Sequence, residues 1–183
     1  MTLPIPDDMQ QPEETMWQGR FITAKRRGKW EYVGRARGIQ AAVIVAVDDG
    51  HILLVDQYRV PLARRCIELP AGLVGDGDAP DEDNAVAASR ELEEETGYRA
   101  ETMTKLGEFF SSPGMVSESF TLFRASGLTK VSEGGGVEGE DIIVHRVPLD
   151  TLPHYVEDLR AKGYAIDVKM LLLLGGSFLK DDA

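Results

Sequence analysis

Arg90-Glu91-Leu92-Glu93-Glu94-Glu95-Thr96-Gly97 puts four carboxylates within five residues of a segment that should form one helix. Glu91 and Glu95 are four apart and share a face, and Glu94 sits three beyond Glu91 on the same side. Like charges at that spacing repel, by about 0.2–0.5 kcal/mol per pair on an exposed helix. A divalent cation would offset this repulsion, because hard ions such as Mg²⁺ take oxygen ligands and bridge carboxylates to substrate phosphates. A solvated acidic face is the alternative for such a run.

The helix is expected to begin near Pro80-Asp81-Glu82-Asp83, whose acids suit the positive end of the helix dipole. Ala85, Ala88, Leu92 and Thr96 recur at helical spacing and offer a small-residue face to a sheet. Gly97 suits the left-handed position that ends helices. Upstream, Ile67-Glu68-Leu69-Pro70-Ala71-Gly72-Leu73-Val74 reads as a strand running into a turn, followed by Gly75-Asp76-Gly77-Asp78. Backbone carbonyls of such a loop can join helix carboxylates around one ion.

Strand, glycine loop and acidic helix in this order resemble the Nudix hydrolases. Their signature is a glycine, five residues, a glutamate, seven residues, then Arg-Glu-apolar-x-Glu-Glu-x-Gly-apolar. Arg90, Glu91, Leu92, Glu94, Glu95, Gly97 and Tyr98 match the second half. In the first half, Gly72 is followed after five residues by Asp78, and Arg90 arrives four residues late. Counting back from Arg90 places Glu82 correctly but puts Asp76 at the glycine position, so a four-residue insertion before the helix is expected. The resemblance implies that Glu91 and Glu95 ligate Mg²⁺ or Mn²⁺, with Glu94 assisting and the Ala71 carbonyl as a further ligand. It implies that Arg90 pairs with a signature glutamate, holding helix against loop; an i,i+4 pair with Glu94 is compatible with that role.

The likeness extends over most of residues 17–180 and points to the ADP-ribose pyrophosphatases. Trp30-Glu31-Tyr32-Val33-Gly34-Arg35 resembles an N-terminal strand whose tryptophan stacks on adenine and whose arginine reaches the nucleotide. A flat aromatic face suits a purine, although Trp30 would equally serve a core or a dimer interface. Arg59 in Gln57-Tyr58-Arg59 resembles an arginine that contacts the substrate diphosphate, and its fork would also fit a carboxylate. Glu68 resembles a glutamate near metal or substrate, with a strand-end surface charge as the alternative. Fifteen residues past Tyr98, Pro113-Gly114 in Ser111-Ser112-Pro113-Gly114-Met115 resembles a mark of ADP-ribose hydrolases; physically it reads as a turn. Four glycines between Ser132 and Asp141 should leave that loop mobile. A glutamate there would activate the attacking water, Glu140 first and Glu138 second, although acidic glycine loops are often merely solvated.

A net charge of −11 argues against a phosphate-tracking nucleic-acid surface. Lys25-Arg26-Arg27-Gly28-Lys29 reads as a hairpin turn. The single cysteine, Cys66, lies in an apolar strand and reads as an inert core thiol. His51, His145 and His154 have no zinc-ligand spacing. Pro4, Pro6, Asp7 and Asp8 stand where a signal peptide would be apolar, and the Leu171–Leu174 run is too short for a membrane span. A cytoplasmic enzyme without membrane or nucleic-acid partners is expected.

Three regions are expected: a flexible segment 1–16, a strand extension 17–40 for dimerisation and substrate, and a Nudix domain 41–183. Strands are expected at Phe21–Lys25, Trp30–Arg37, Gln40–Val47, Ile52–Tyr58, Arg65–Leu69, Leu106–Ser111, Ser119–Ala125 and Asp141–Val147, with Asp48-Asp49-Gly50 turning a hairpin. A second helix should cover Pro153–Ala161 and stop at Gly163. Val168, Met170, Leu171–Leu174 and Phe178 read as a buried C-terminal helix. The fold class is therefore α/β, a mixed sheet between helices in the α/β/α Nudix arrangement. The resemblance also implies a homodimer that exchanges N-terminal strands.

The expected reaction is Mg²⁺-dependent hydrolysis of a nucleoside diphosphate sugar, ADP-ribose to AMP and ribose 5-phosphate. GDP-mannose or a dinucleotide is the alternative substrate, and a non-catalytic ADP-ribose-sensing module the alternative of another class.

Overall fold

Residues 4–36, 39–75 and 83–178 are described by a computed structural model. The centre is a pair of strands, β4 (Gln40–Asp48) and β5 (His51–Arg59), joined by a tight turn. Asp49 and Gly50 both take positive φ there, the conformation that two-residue hairpins with native twist require. The two strands pair only beside this turn, at Val47–Ile52 and Asp48–His51. Beyond it they part. β4 continues between β7 (Ala71–Val74) and β10 (Ser119–Ser126), while β5 continues between β6 (Arg64–Glu68) and β12 (Ile142–Pro148). β9 (Thr102–Phe110) and β13 (Ala165–Ile166) flank these groups.

Both faces of the mixed sheet are covered, which is why β4 and β5 read as nearly continuous apolar runs. Ala42, Ile44, Ala46 and Leu53 point to one side and meet Ala88 and Leu92 of α1 (Asn84–Thr96). Val43, Ile52 and Leu54 alternate to the other side. There they meet Leu152, Val156 and Leu159 of α2 (Leu152–Ala161), and Leu174 of α3 (Leu171–Phe178). The expected α/β/α layering is present.

Several boundaries differ from expectation. α1 starts at Asn84, with the Asp83 carboxylate accepting the Ala85 N–H at 2.8 Å; Asp76, Asp78, Pro80, Asp81 and Glu82 lie outside the described residues. β3 (Trp30–Arg35) ends before Ala36, and Arg37 lies outside the described residues. Within 1–16, Asp7–Gln10 forms a 3-10 turn and β1 (Glu13–Gln18) pairs with β2 (Ile22–Arg27), so part of the segment expected to be loose is a strand. Polar side chains hold it, through the Glu13 contacts with Lys25 at 2.8 Å and the Tyr32 hydroxyl at 2.5 Å. The expected buried C-terminal helix is instead a 3-10 turn, Val168–Met170, followed by α3. Met170 and Leu174 are buried while Leu171, Leu172 and Phe178 are exposed. Short β8 (Tyr98–Arg99), β11 (Thr129–Lys130) and β13 have no strand-like period of their own and exist only through their partners. Among the described residues no helix is long and apolar enough to cross a membrane.

Candidate active site

Two elements bring the acidic cluster to the sheet. α1 lies over β7, and Gly72 lets it approach closely: a side-chain carbon there would overlap the Glu91 carboxylate. One residue earlier, the Ala71 N–H donates to Glu95 Oε2 at 2.9 Å. Glu95 is buried, with 8% of its surface exposed. Burial pushes its carboxyl up to about 8, the negative charges of Glu91 and Glu140 add to the rise, and the Ala71 N–H and the Arg59 charge oppose it. The Glu91 carboxyl is also raised, chiefly by burial, with Arg90 opposing and Glu94 and Glu140 adding. Glu91, Glu95 and Glu140 thus share one electrostatic neighbourhood.

Arg90 occupies the outer side of this group. Its guanidinium lies 2.9 Å from Glu91 Oε1 and 3.0 Å from Glu94 Oε2, so the expected arginine–glutamate pairing is present twice. It also holds Glu91 and Glu94 as ion-pair partners. Among the described residues no three His, Cys, Asp or Glu side chains stand as a ready-made metal cage. The donor set nonetheless fits a hard cation, because its side-chain ligands are carboxylate oxygens.

The loop carrying Glu140 is not loose at its start. Gly135 N–H donates to the Glu95 carbonyl at 2.8 Å and Gly136 N–H to the Glu94 carbonyl at 3.0 Å. These are helix-end carbonyls that α1 leaves without partners. Gly134 has φ +69°, and a side-chain carbon on it would overlap the Thr96 and Glu95 backbone. The glycines expected to confer mobility here permit close docking instead. Glu140 Oε2 accepts the Val137 N–H at 3.0 Å, and Glu138 and Glu140 are both exposed.

Arg59 and Glu68 form a two-point pair, Nε–Oε1 at 2.6 Å and a terminal guanidinium nitrogen to Oε2 at 2.9 Å. Glu68 is 5% exposed, so it is no strand-end surface charge. Cys66 beside it is buried, and burial pushes its thiol up to about 12, in line with an inert core thiol.

The remaining expected residues assemble elsewhere. The three-stranded sheet β1–β3 reaches the main body through β3, where Val33 N–H donates to the Met115 carbonyl and Ser117 N–H to the Val33 carbonyl, both at 2.9 Å. Pro113 and Gly114 lie in the turn just before Met115, and Arg35 pairs with Glu118. A cavity of about 430 Å³ beside them is lined by Thr23, Lys25, Gly34, Arg35, Gln40 and Glu118, among others. Trp30 is half exposed on β3, which excludes a core role within one chain. A larger groove of about 920 Å³ follows the outer face of α1 past Arg90, Glu94 and Gly136, but Glu91 and Glu95 do not line it. The buried, perturbed carboxylates lie on the strand side of the helix, and that side is the better candidate for chemistry.

Sequence reasoning missed Glu118 and the buried Asp56, which pairs with Arg65. A lone carboxylate directly after the apolar run Ile52–Val55 was the available signal for Asp56.

Residues 36–170 match the NUDIX domain. The chain is 38% identical over 120 residues to a methanol dehydrogenase activator of Bacillus methanolicus, covering 65% of this chain and 63% of that protein. It is 38% identical over 117 residues to an ADP-ribose pyrophosphatase of Bacillus subtilis, covering 63% and 61%. The match thus spans just under two thirds of the length of both relatives. A crystal structure of an ADP compounds hydrolase superposes with a TM-score of 0.67 at 27% identity, over 91% of this chain and 93% of that one. Sequence match, superposition and the position of the glutamate helix on the sheet agree: the chain belongs to the Nudix hydrolase family.

Proposed function

We propose that this chain hydrolyses the diphosphate bond of a nucleoside diphosphate sugar, with ADP-ribose yielding AMP and ribose 5-phosphate. The observation that carries the reading is the buried Glu95 carboxylate, held by the Ala71 N–H on the helix face where Glu91 lies against Gly72. Glu91, Glu94, Glu95 and the Ala71 carbonyl would hold Mg²⁺, or Mn²⁺ in its place. When bound, such an ion polarises the diphosphate and lowers the pKa of water.

The protein's own groups supply the rest. Phosphoryl transfer asks for positioning and charge neutralisation more than covalent help. Glu140 takes a proton from the attacking water as the water oxygen bonds to phosphorus and the bridging P–O bond breaks. Arg59 neutralises a phosphate oxygen by exchanging Glu68 for phosphate, since a guanidinium fork fits both. Trp30 stacks on the adenine and Arg35 reaches the nucleotide, with Pro113 and Gly114 shaping the adjoining turn. Met16, Trp17, Phe21 and Trp30 expose apolar surface on the N-terminal sheet, and Phe109, Phe110 and Met115 do so on and beyond β9. That distribution supports a homodimer built through exchanged N-terminal strands, since large apolar patches mark interfaces.

A hydrolysis panel of ADP-ribose, GDP-mannose and a dinucleotide, with and without Mg²⁺, tests the assignment by product release. AMP from ADP-ribose only with Mg²⁺ is expected, and Glu95→Gln should abolish it while remaining folded. Faster turnover of GDP-mannose reassigns the substrate. Calorimetric binding of ADP-ribose without AMP release makes the chain a sensor and rejects the enzyme.

A further inference from the structure

We propose that Arg65 is a positioning residue, gripping Asp141 so that the neighbouring Glu140 carboxylate is held at the site. The inference rests on reading Glu140 as the group that takes the proton from water.

Asp56 on β5 is fully buried at the end of an apolar run, where an unpaired carboxylate would be costly. Its compensation is Arg65 on β6: Nε contacts the Asp56 carboxylate and a terminal nitrogen donates to the Asp56 carbonyl at 3.0 Å. The other carboxylate oxygen lies 2.5 Å from His145 Nε2, and the Tyr155 hydroxyl lies 2.7 Å from His145 Nδ1. Asp56 is therefore held by β6, β12 and α2 together. The Arg65 guanidinium projects from this base and reaches Asp141 twice, its side-chain oxygen at 2.5 Å and its carbonyl at 2.9 Å.

Asp141 is 72% exposed at its side chain, so packing does not hold it. An exposed ion pair contributes little stability by itself. A two-point grip on side chain and backbone does orient the chain, however, because the planar guanidinium fixes both acceptors at once. Glu140 lies between this grip and the Gly135–Gly136 amides docked on α1. One anchor refers Glu140 to the helix that bears Glu91 and Glu95, and the other to the sheet that bears Glu68. A polar network rooted in a fully buried carboxylate, with every member partnered, is suited to such a rigid reference.

Asp141 is the member to change, since replacing Arg65 would strand Asp56. With ADP-ribose and Mg²⁺, Asp141→Ala should lower kcat by about tenfold or more while KM stays within roughly twofold. In a Glu140→Gln background the same substitution should cost nothing further. Amide exchange should quicken across residues 137–142 and stay unchanged in α1. If Glu140→Gln is slow but Asp141→Ala turns over like the wild type, or the two losses multiply, the clamp is overturned and the reading of Glu140 survives. If Glu140→Gln itself matches the wild type, both fall.

Discussion

The Ala71 N–H and the Glu95 carboxylate, 2.9 Å apart, tie the candidate metal-ligand helix to the strand that carries the candidate carbonyl ligand. The contact holds Glu95 where burial raises its carboxyl to about 8. A group that binds its proton more tightly in the folded than in the unfolded chain favours folding at low pH. Its contribution is fully present below the ordinary 4.5 and is lost as pH rises towards about 8. In EDTA, the melting temperature of the wild type should therefore fall from pH 5 to pH 8.5 relative to Glu95→Gln, which keeps an acceptor for Ala71. At about 1.4 kcal/mol per pH unit, the total difference is bounded by about 5 kcal/mol. Parallel melting curves for the two proteins across that range would show that Glu95 is not so perturbed. Added Mg²⁺ should remove the pH slope from the wild type alone.

Gly72→Ala isolates the position of Glu91. The added carbon meets the far end of the Glu91 side chain rather than backbone, so Glu91 moves and the fold remains. The Mg²⁺ concentration for half-maximal activity should rise about 10-fold to 100-fold. Circular dichroism should be unchanged. An unaltered Mg²⁺ titration would place Glu91 outside the metal site.

Gly134→Ala has the opposite character. Its φ of +69° penalises any side chain, and the added carbon meets the Thr96 and Glu95 backbone, which cannot turn aside. A loss of at least about 1–2 kcal/mol is expected from the left-handed conformation alone. Denaturant unfolding measures it, and kcat should fall as the loop bearing Glu140 leaves the helix end. A variant as stable and active as the wild type would show that the docking is dispensable.

Trp30→Ala removes the proposed stacking surface without touching the carboxylates. KM for ADP-ribose should rise about 10-fold, within the roughly 1–3 kcal/mol that stacking one base contributes, with kcat retained. Steady-state kinetics at saturating Mg²⁺ decide it. Loss of kcat with unchanged KM would place Trp30 elsewhere in the mechanism.

What the sequence determined by itself was local. The 3.6-residue recurrence of Ala88 and Leu92, the left-handed Gly97 and the Asp49-Gly50 turn are each specified by neighbours a few residues away, and each is found as read. The nearly continuous apolar runs of β4 and β5 likewise made the covered sheet legible, because both faces had to be apolar. Tertiary structure decided what depends on distant partners. β7 is strand only because β4 lies beside it, and Leu171 and Leu172 face outward because α3 turns Leu173 and Leu174 towards the core. The Gly134–Gly136 turn docks because α1 ends in unpaired carbonyls, which a count of glycines cannot reveal. Likewise, burial alone separates Glu95 from Glu93, which pairs with Arg99 at the surface. Local propensity chose the helix; desolvation by the sheet chose which of its carboxylates became chemically distinct.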